Sequence, residues 1–279
     1  MKSPFFFFDT ADTEYVKQLW EKLKDEIDPK SVAGITTNPN AFHKIEANTI
    51  KQWKDKTLEL CQLVSDIRGD DLGVVYVQQP NSRMTGKDVL VWAAEISKWG
   101  DEKTRVGLKI PPFKEVLNVT SKLSTVIGIE VNVTGVADCS TALRAFSYGV
   151  DYVSIIPGRM EEQGIDAKAQ ISFANQRNAT AHGKSSKIIT GSMRTIEGLK
   201  WVCEYNTVPT IGSRVWDKIF EESSIEEFKS FWKDAEETEQ RFSPKVDESM
   251  ITLSESFFKQ MDELSKPVYE EFTKRFTKN

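Results

Sequence analysis

Histidine is scarce in this chain of 279 residues, with only His43 and His182 present. Cysteine is nearly as rare: Cys61, Cys139 and Cys203 stand far apart and form no Cys-x-x-Cys pair. Zinc sites draw mainly on these two side chains at short spacings, so zinc chemistry is all but excluded. An odd number of scattered cysteines reads as free buried thiols in a reducing compartment, not as a disulfide framework. A basic excess is also missing. The 37 Lys and Arg against 42 Asp and Glu give a net charge of −5 and a pI of about 5.4. Nothing there neutralises a phosphate backbone, which argues against nucleic acid as a partner. Long apolar runs are absent too. Phe5 to Phe8 form one, but Asp9 ends it, short of the roughly 7–15 residues of a secretory signal core. No stretch approaches the ~18 apolar residues of a membrane span. The expectation is a cytoplasmic protein with no membrane partner, so the Asn-x-Thr triplets at Asn118, Asn132 and Asn178 are discounted as glycan acceptors.

What is present is ordinary globular composition, 39% hydrophobic and 28% charged. The length is about 1.9 times the ~150 residues of a typical domain, which allows two small domains or one large barrel. Short apolar segments alternate with helical periodicity. Strands are expected at Phe5–Asp9, Val32–Thr36, Leu72–Gln78, Arg105–Ile110, Ile127–Thr134, Tyr152–Ile156, Lys187–Thr190 and Val208–Ile211. Continuous runs such as Val74-Val75-Tyr76-Val77 suit parallel strands buried on both faces. Helices are expected at Glu14–Glu26, Ile50–Arg68, Asp88–Lys98, Thr141–Tyr148 and Ile196–Glu204, where apolar residues recur every three or four positions.

Strict alternation leaves an open doubly wound sheet or a closed barrel. A nucleotide-binding sheet usually carries a glycine-rich loop after its first strand. Here Asp9-Thr10-Ala11-Asp12-Thr13 stands in that place. An α/β fold of the (β/α)8 TIM-barrel type is therefore expected over residues 1–222. Residues 223–279 read as a helical C-terminal extension packed on the barrel, with Phe257, Phe258, Met261, Leu264, Val268, Phe272 and Phe276 as its apolar stripe.

In such barrels the active site is built at the C-terminal ends of the strands. Polar residues expected there are Asp9, Thr37, Asn38, Gln78, Lys109, Thr134, Ser154, Arg159, Ser192 and Arg194. Lys109 is the most informative, because it interrupts the apolar strand Val106-Gly107-Leu108-Lys109-Ile110. Desolvation disfavours an ammonium and yields a neutral amine able to attack a carbonyl. The resulting iminium is an electron sink for C–C cleavage. Taken alone, Lys109 also fits a lysine snorkelling at a strand end or paired with a carboxylate. A cleaving lysine needs a proton acceptor nearby, and Asp9 is the best-placed carboxylate; its competing use is as a helix N-cap, which Thr10 or Asp12 could equally supply. Arg159, Ser192 and Arg194 suit a phosphate or another oxyanion.

These residues carry a resemblance to the transaldolase family, which includes the small fructose-6-phosphate aldolases. The most specific segment is Ala33-Gly34-Ile35-Thr36-Thr37-Asn38-Pro39. Phe8-Asp9-Thr10, Leu108-Lys109-Ile110-Pro111, Gly128 to Thr134, Ser154 to Arg159 and Thr190-Gly191-Ser192-Met193-Arg194 follow in family order. The resemblance implies that Lys109 forms a Schiff base with a ketose phosphate and that Asp9 acts as acid and base. It implies that Asn38 and Thr37 contact substrate and that Ser154 lies near it. Thr134 would position the catalytic water, and Arg159, Ser192 and Arg194 would bind phosphate. Sugar phosphates are then the partners and no cofactor or metal is needed. Self-association stays open, since relatives range from dimers to larger rings.

Two positions depart from the transaldolase pattern. Gln78 stands where transaldolases have a glutamate, as in the fructose-6-phosphate aldolases, with Gln79 adjacent as the other candidate for the inward place. Ile156 stands where those aldolases have a tyrosine and transaldolases a phenylalanine. Because a glutamine cannot relay a proton, the water network is expected to differ from both. A transaldolase of the pentose phosphate pathway is the leading expectation. A lyase releasing dihydroxyacetone, and a sugar-phosphate-binding barrel without turnover, are the alternatives.

Overall fold

The computed structural model describes residues 6–179, 186–193, 195–205 and 207–222. The expected C-terminal extension, 223–279, lies outside the described residues, as does Arg194. Eight parallel strands close into a barrel in sequence order: β1 (Phe6–Asp9), β2 (Val32–Thr36), β3 (Gly73–Gln78), β4 (Thr104–Ile110), β5 (Val131–Val136), β6 (Tyr152–Ile155), β7 (Lys187–Thr190) and β8 (Val208–Ile211). The (β/α)8 expectation is correct. Outside the strands run α1 (Thr13–Leu23), α2 (Pro39–Lys44), α3 (Ile50–Arg68), α4 (Gly86–Ile96), α5 (Lys114–Leu117), α6 (Thr120–Lys122), α7 (Cys139–Ser147), α8 (Pro157–Glu162), α9 (Ala167–Ala179), α10 (Ile196–Glu204) and α11 (Ser213–Glu222). Among these described helices none is long and apolar enough to cross a membrane.

The phenylalanine run at the start of the chain shows how the barrel is filled. Strand residues alternate between faces. Phe6 and Phe8 point outward and meet Trp216 of α11 edge-on and tilted, at 5.4 and 5.9 Å. Phe7 points inward and packs with Tyr76 and Tyr152 at 5.8 and 6.2 Å, the two tyrosines being 5.7 Å apart. All three phenylalanines are buried, each stabilising the fold by roughly 1.5–3 kcal/mol. The Phe7, Tyr76 and Tyr152 rings form an aromatic floor. Tyr76 donates to Glu130 Oε1 at 2.9 Å, while Arg105 holds Glu130 Oε2 at 2.8 Å. Complete burial pushes the Tyr76 phenol well above its ordinary range, so it stays a hydrogen-bond donor. Gly107 makes room for this ring, since a Cβ there would lie 2.4 Å from Tyr76 Cε1.

Local chemistry places the outer helices. α3 opens with a capping box between Thr49 and Gln52 and stops before Gly69, whose φ of 68° a side chain would strain. α4 opens with a second box between Thr85 and Asp88. The expected bounds of α3 and α10 agree with the structure. The fifth strand does not. It begins at Val131, because Leu123–Ile127 closes a π-helical turn that ends at Gly128 in the left-handed region. The apolar Val126-Ile127 pair belongs to that turn, and only glycine readily takes the φ of 75° that follows it.

Candidate active site

The inward face turns polar at the C-terminal ends of the strands. Phe7 and Asp9 share a face on β1, and Asp9 pairs with Thr36 of β2. On the opposite side Gln78, Lys109 and Asn132 pair in register across β3, β4 and β5. Paired residues of parallel strands share a face, so all three point into the barrel. Gln78, not Gln79, is the inward residue. Gln79 is buried beside it and donates to Asn81 O at 2.8 Å.

Lys109 is 6% exposed, and its Nζ donates to the backbone carbonyl of Thr37 at 2.9 Å. Burial pushes its ammonium below the ordinary lysine range, and the charge of Asp9 works against that shift. The two groups are therefore close enough to feel one another. Desolvation is the larger effect, and it favours the neutral amine. Asp9 is not needed as a helix cap. Asp12 caps α1, accepting from Tyr15 N at 3.0 Å. Asp9 instead accepts from Thr36 Oγ1 at 3.1 Å, and its side chain is half-buried beside the lysine.

The Thr37-Asn38 pair follows β2 and makes contacts of two kinds. Thr37 has no exposed surface, and both its N–H and its hydroxyl donate to Tyr76 O at 2.9 Å. Its hydroxyl proton is thereby taken up within the fold. What Thr37 offers the site is its carbonyl, which holds Lys109. Asn38 caps α2 with its Oδ1, 2.9 Å from Ala41 N, which leaves its amide N–H groups for a ligand.

Ser154 is buried and donates to Asn132 Oδ1 at 2.8 Å. Asn132 has no exposed surface, and its Nδ2 finds no partner among the described residues. A buried amide donor left open beside a buried lysine is ready for a ligand oxygen. The sequence reading passed over Asn132, although a polar residue two before Thr134 inside an apolar strand marks the inward face. It also passed over Thr36 and Thr210. Thr134 is half-buried, within the irregular stretch between Val133 and Val136 where Gly135 has a φ of 77°. Such bulges re-aim side chains beside active sites.

At the rim the structure brings less together. Arg159 is exposed on α8 and pairs with Glu162 at 3.0 Å. Ser192 is exposed just after β7 and holds a φ of 59°, unusual for a residue with a side chain. Strain of this kind collects at ligand loops. Ile156 is half-buried at the N-terminus of α8.

A parallel (β/α)8 barrel with a desolvated lysine opposite a carboxylate on its inner wall defines the class of aldolase-type barrels. Residues 6–278 match the family described as Transaldolase/Fructose-6-phosphate aldolase, and the chain belongs to it. A probable transaldolase of Methanococcus vannielii is 30% identical over 235 residues, covering 81% of this chain and 96% of that protein. A probable transaldolase of Streptococcus agalactiae serotype V is 29% identical over 232 residues, covering 81% and 96%. Probable transaldolase 2 of Listeria monocytogenes is 27% identical, covering 82% and 95%.

Proposed function

We propose that the protein is a transaldolase working through a Schiff base on Lys109. The observation that carries this reading is the buried Lys109 amine, its charged form disfavoured by desolvation and Asp9 within electrostatic reach. The neutral amine attacks the C2 carbonyl of a ketose phosphate, and the adduct takes up one proton from solvent as it loses water, leaving an iminium. Asp9 takes the proton of the C4 hydroxyl as the C3–C4 bond breaks, and the bonding electrons pass to the iminium as an enamine. The enamine then adds to the acceptor aldehyde, which recovers the proton from Asp9. Sedoheptulose 7-phosphate and glyceraldehyde 3-phosphate thus give erythrose 4-phosphate and fructose 6-phosphate, a reaction of the pentose phosphate pathway.

Asn38 and Asn132 hydrogen-bond the dihydroxyacetone portion in this reading, with Ser154 orienting Asn132. Thr134 positions the water that hydrolyses the iminium. Arg159, Ser192 and Arg194 bind the distal phosphate, for which Arg159 must leave Glu162. A lyase that releases dihydroxyacetone is a second reading, supported by Gln78 standing in register with Lys109 where a carboxylate would relay protons.

Borohydride reduction in the presence of fructose 6-phosphate tests the central step. Peptide mapping should find the dihydroxyacetone adduct on Lys109, and an unlabelled Lys109 refutes the mechanism. Product assays separate the two readings. Turnover of fructose 6-phosphate only with erythrose 4-phosphate present marks a transaldolase, and free dihydroxyacetone marks a lyase.

A further inference from the structure

Two buried hydroxyls stand behind Asp9 that the mechanism above does not use. Thr36 on β2 is 1% exposed and Thr210 on β8 is 5% exposed. Their Oγ1 atoms lie 2.7 Å apart, and Thr36 Oγ1 lies 3.1 Å from Asp9 Oδ1. Asp9 sits on β1, between these two strands. We propose that Thr210 and Thr36 form a hydroxyl relay that positions the Asp9 carboxylate for its proton transfer.

Proton counting fixes the direction of the relay. An ionised carboxylate only accepts, and a threonine hydroxyl carries one proton. The Thr36 proton therefore goes to Asp9, so the short contact behind it requires Thr210 to donate to Thr36. Donation from Thr210 polarises Thr36 and strengthens the bond that reaches the carboxylate. Both side chains are β-branched and stiff about χ1, which fixes the hydroxyl positions. Valine would fill either strand site without placing a hydroxyl inside the barrel. Oδ1 of Asp9 is held by the relay, and Oδ2 is left to take the substrate proton. Thr210 and Thr36 touch no reacting atom and are positioning residues.

This inference rests on the Schiff-base reading of Lys109 and Asp9, and the experiment separates the two. Thr210→Val removes the donor while keeping the shape. The expected result is a fall in kcat for aldol cleavage of about tenfold, the loss of the one hydrogen bond that polarises Thr36. KM for fructose 6-phosphate should stay within about twofold, because substrate contacts are untouched. Total borohydride labelling of Lys109, counted as the fructose 6-phosphate and dihydroxyacetone adducts together, should match wild type, because imine formation precedes the step Asp9 performs. Thr210→Ser restores the hydroxyl and should recover most of kcat. Thr210→Ala, which adds no steric load, should repeat the fall seen with valine. Wild-type kcat in the valine and alanine variants overturns the relay while the imine reading stands. A serine variant as impaired as valine, with KM raised alongside, overturns it in favour of simple packing. Absence of trapping in the wild type overturns the Schiff-base reading, and the relay with it.

Discussion

Replacing Lys109 with methionine should abolish turnover and make the folded protein more stable. The Lys109 amine makes one hydrogen bond, to Thr37 O, in a side chain 6% exposed. An ammonium has three donors, so two lack a protein partner among the described residues. Leaving a buried polar group unmade costs roughly 1–3 kcal/mol. Methionine keeps the length and apolar stem without that cost. Against the gain stands the bond to Thr37 O, worth about 0.5–1.5 kcal/mol. Asp9 also loses an opposite charge, but it is half-exposed and solvent screens it.

The net is a stabilisation of about 1 kcal/mol, or on the order of 2–4 °C in Tm for a domain of this size. Its pH dependence follows from the lowered pKa of Lys109. The unfolded chain binds the lysine proton more tightly than the folded one, so protonation weighs against folding. That penalty is complete below the folded-state pKa and disappears as pH rises through the ordinary lysine range near ~10.4. The Tm advantage of the variant should therefore be greatest below the folded-state pKa of Lys109, shrink as pH rises toward about 10, and be lost above it. Calorimetry at several pH values measures it. A variant less stable than wild type at pH 7, or an advantage that grows toward pH 10, refutes the claim that desolvation dominates at Lys109.

Two further outcomes are expected. Gly107→Ala drives a methyl group into the Tyr76 ring, so urea unfolding should show a loss of about 1–3 kcal/mol; a shift under 0.3 kcal/mol would mean the aromatic floor yields easily. Arg159→Ala should raise KM for fructose 6-phosphate by about fivefold or more, with little change for unphosphorylated dihydroxyacetone, and equal effects on both would remove Arg159 from the phosphate site.

Strand alternation, the order of the motifs and the inward position of Lys109 and Asp9 at their strand ends were legible in the chain itself. Each is a local signal: a buried-strand run, a capping residue, or a charged residue set inside an apolar segment. The fifth strand was misplaced because an apolar pair looks alike in a strand and in a helical turn, and the decision lay with the backbone at Gly128. That the Thr37 hydroxyl donates to Tyr76 O follows only from the placing of β3 beside β2.

Sequence alone determined the class of this protein, since periodicity and composition act residue by residue. Tertiary structure decided which side chains meet within the candidate site. The Asp9–Thr36 and Thr36–Thr210 contacts join residues up to 174 positions apart along the chain, and no local pattern records such a meeting. Barrel closure brings β8 beside β1, and that step alone turns an unremarked threonine into a neighbour of the carboxylate's partner.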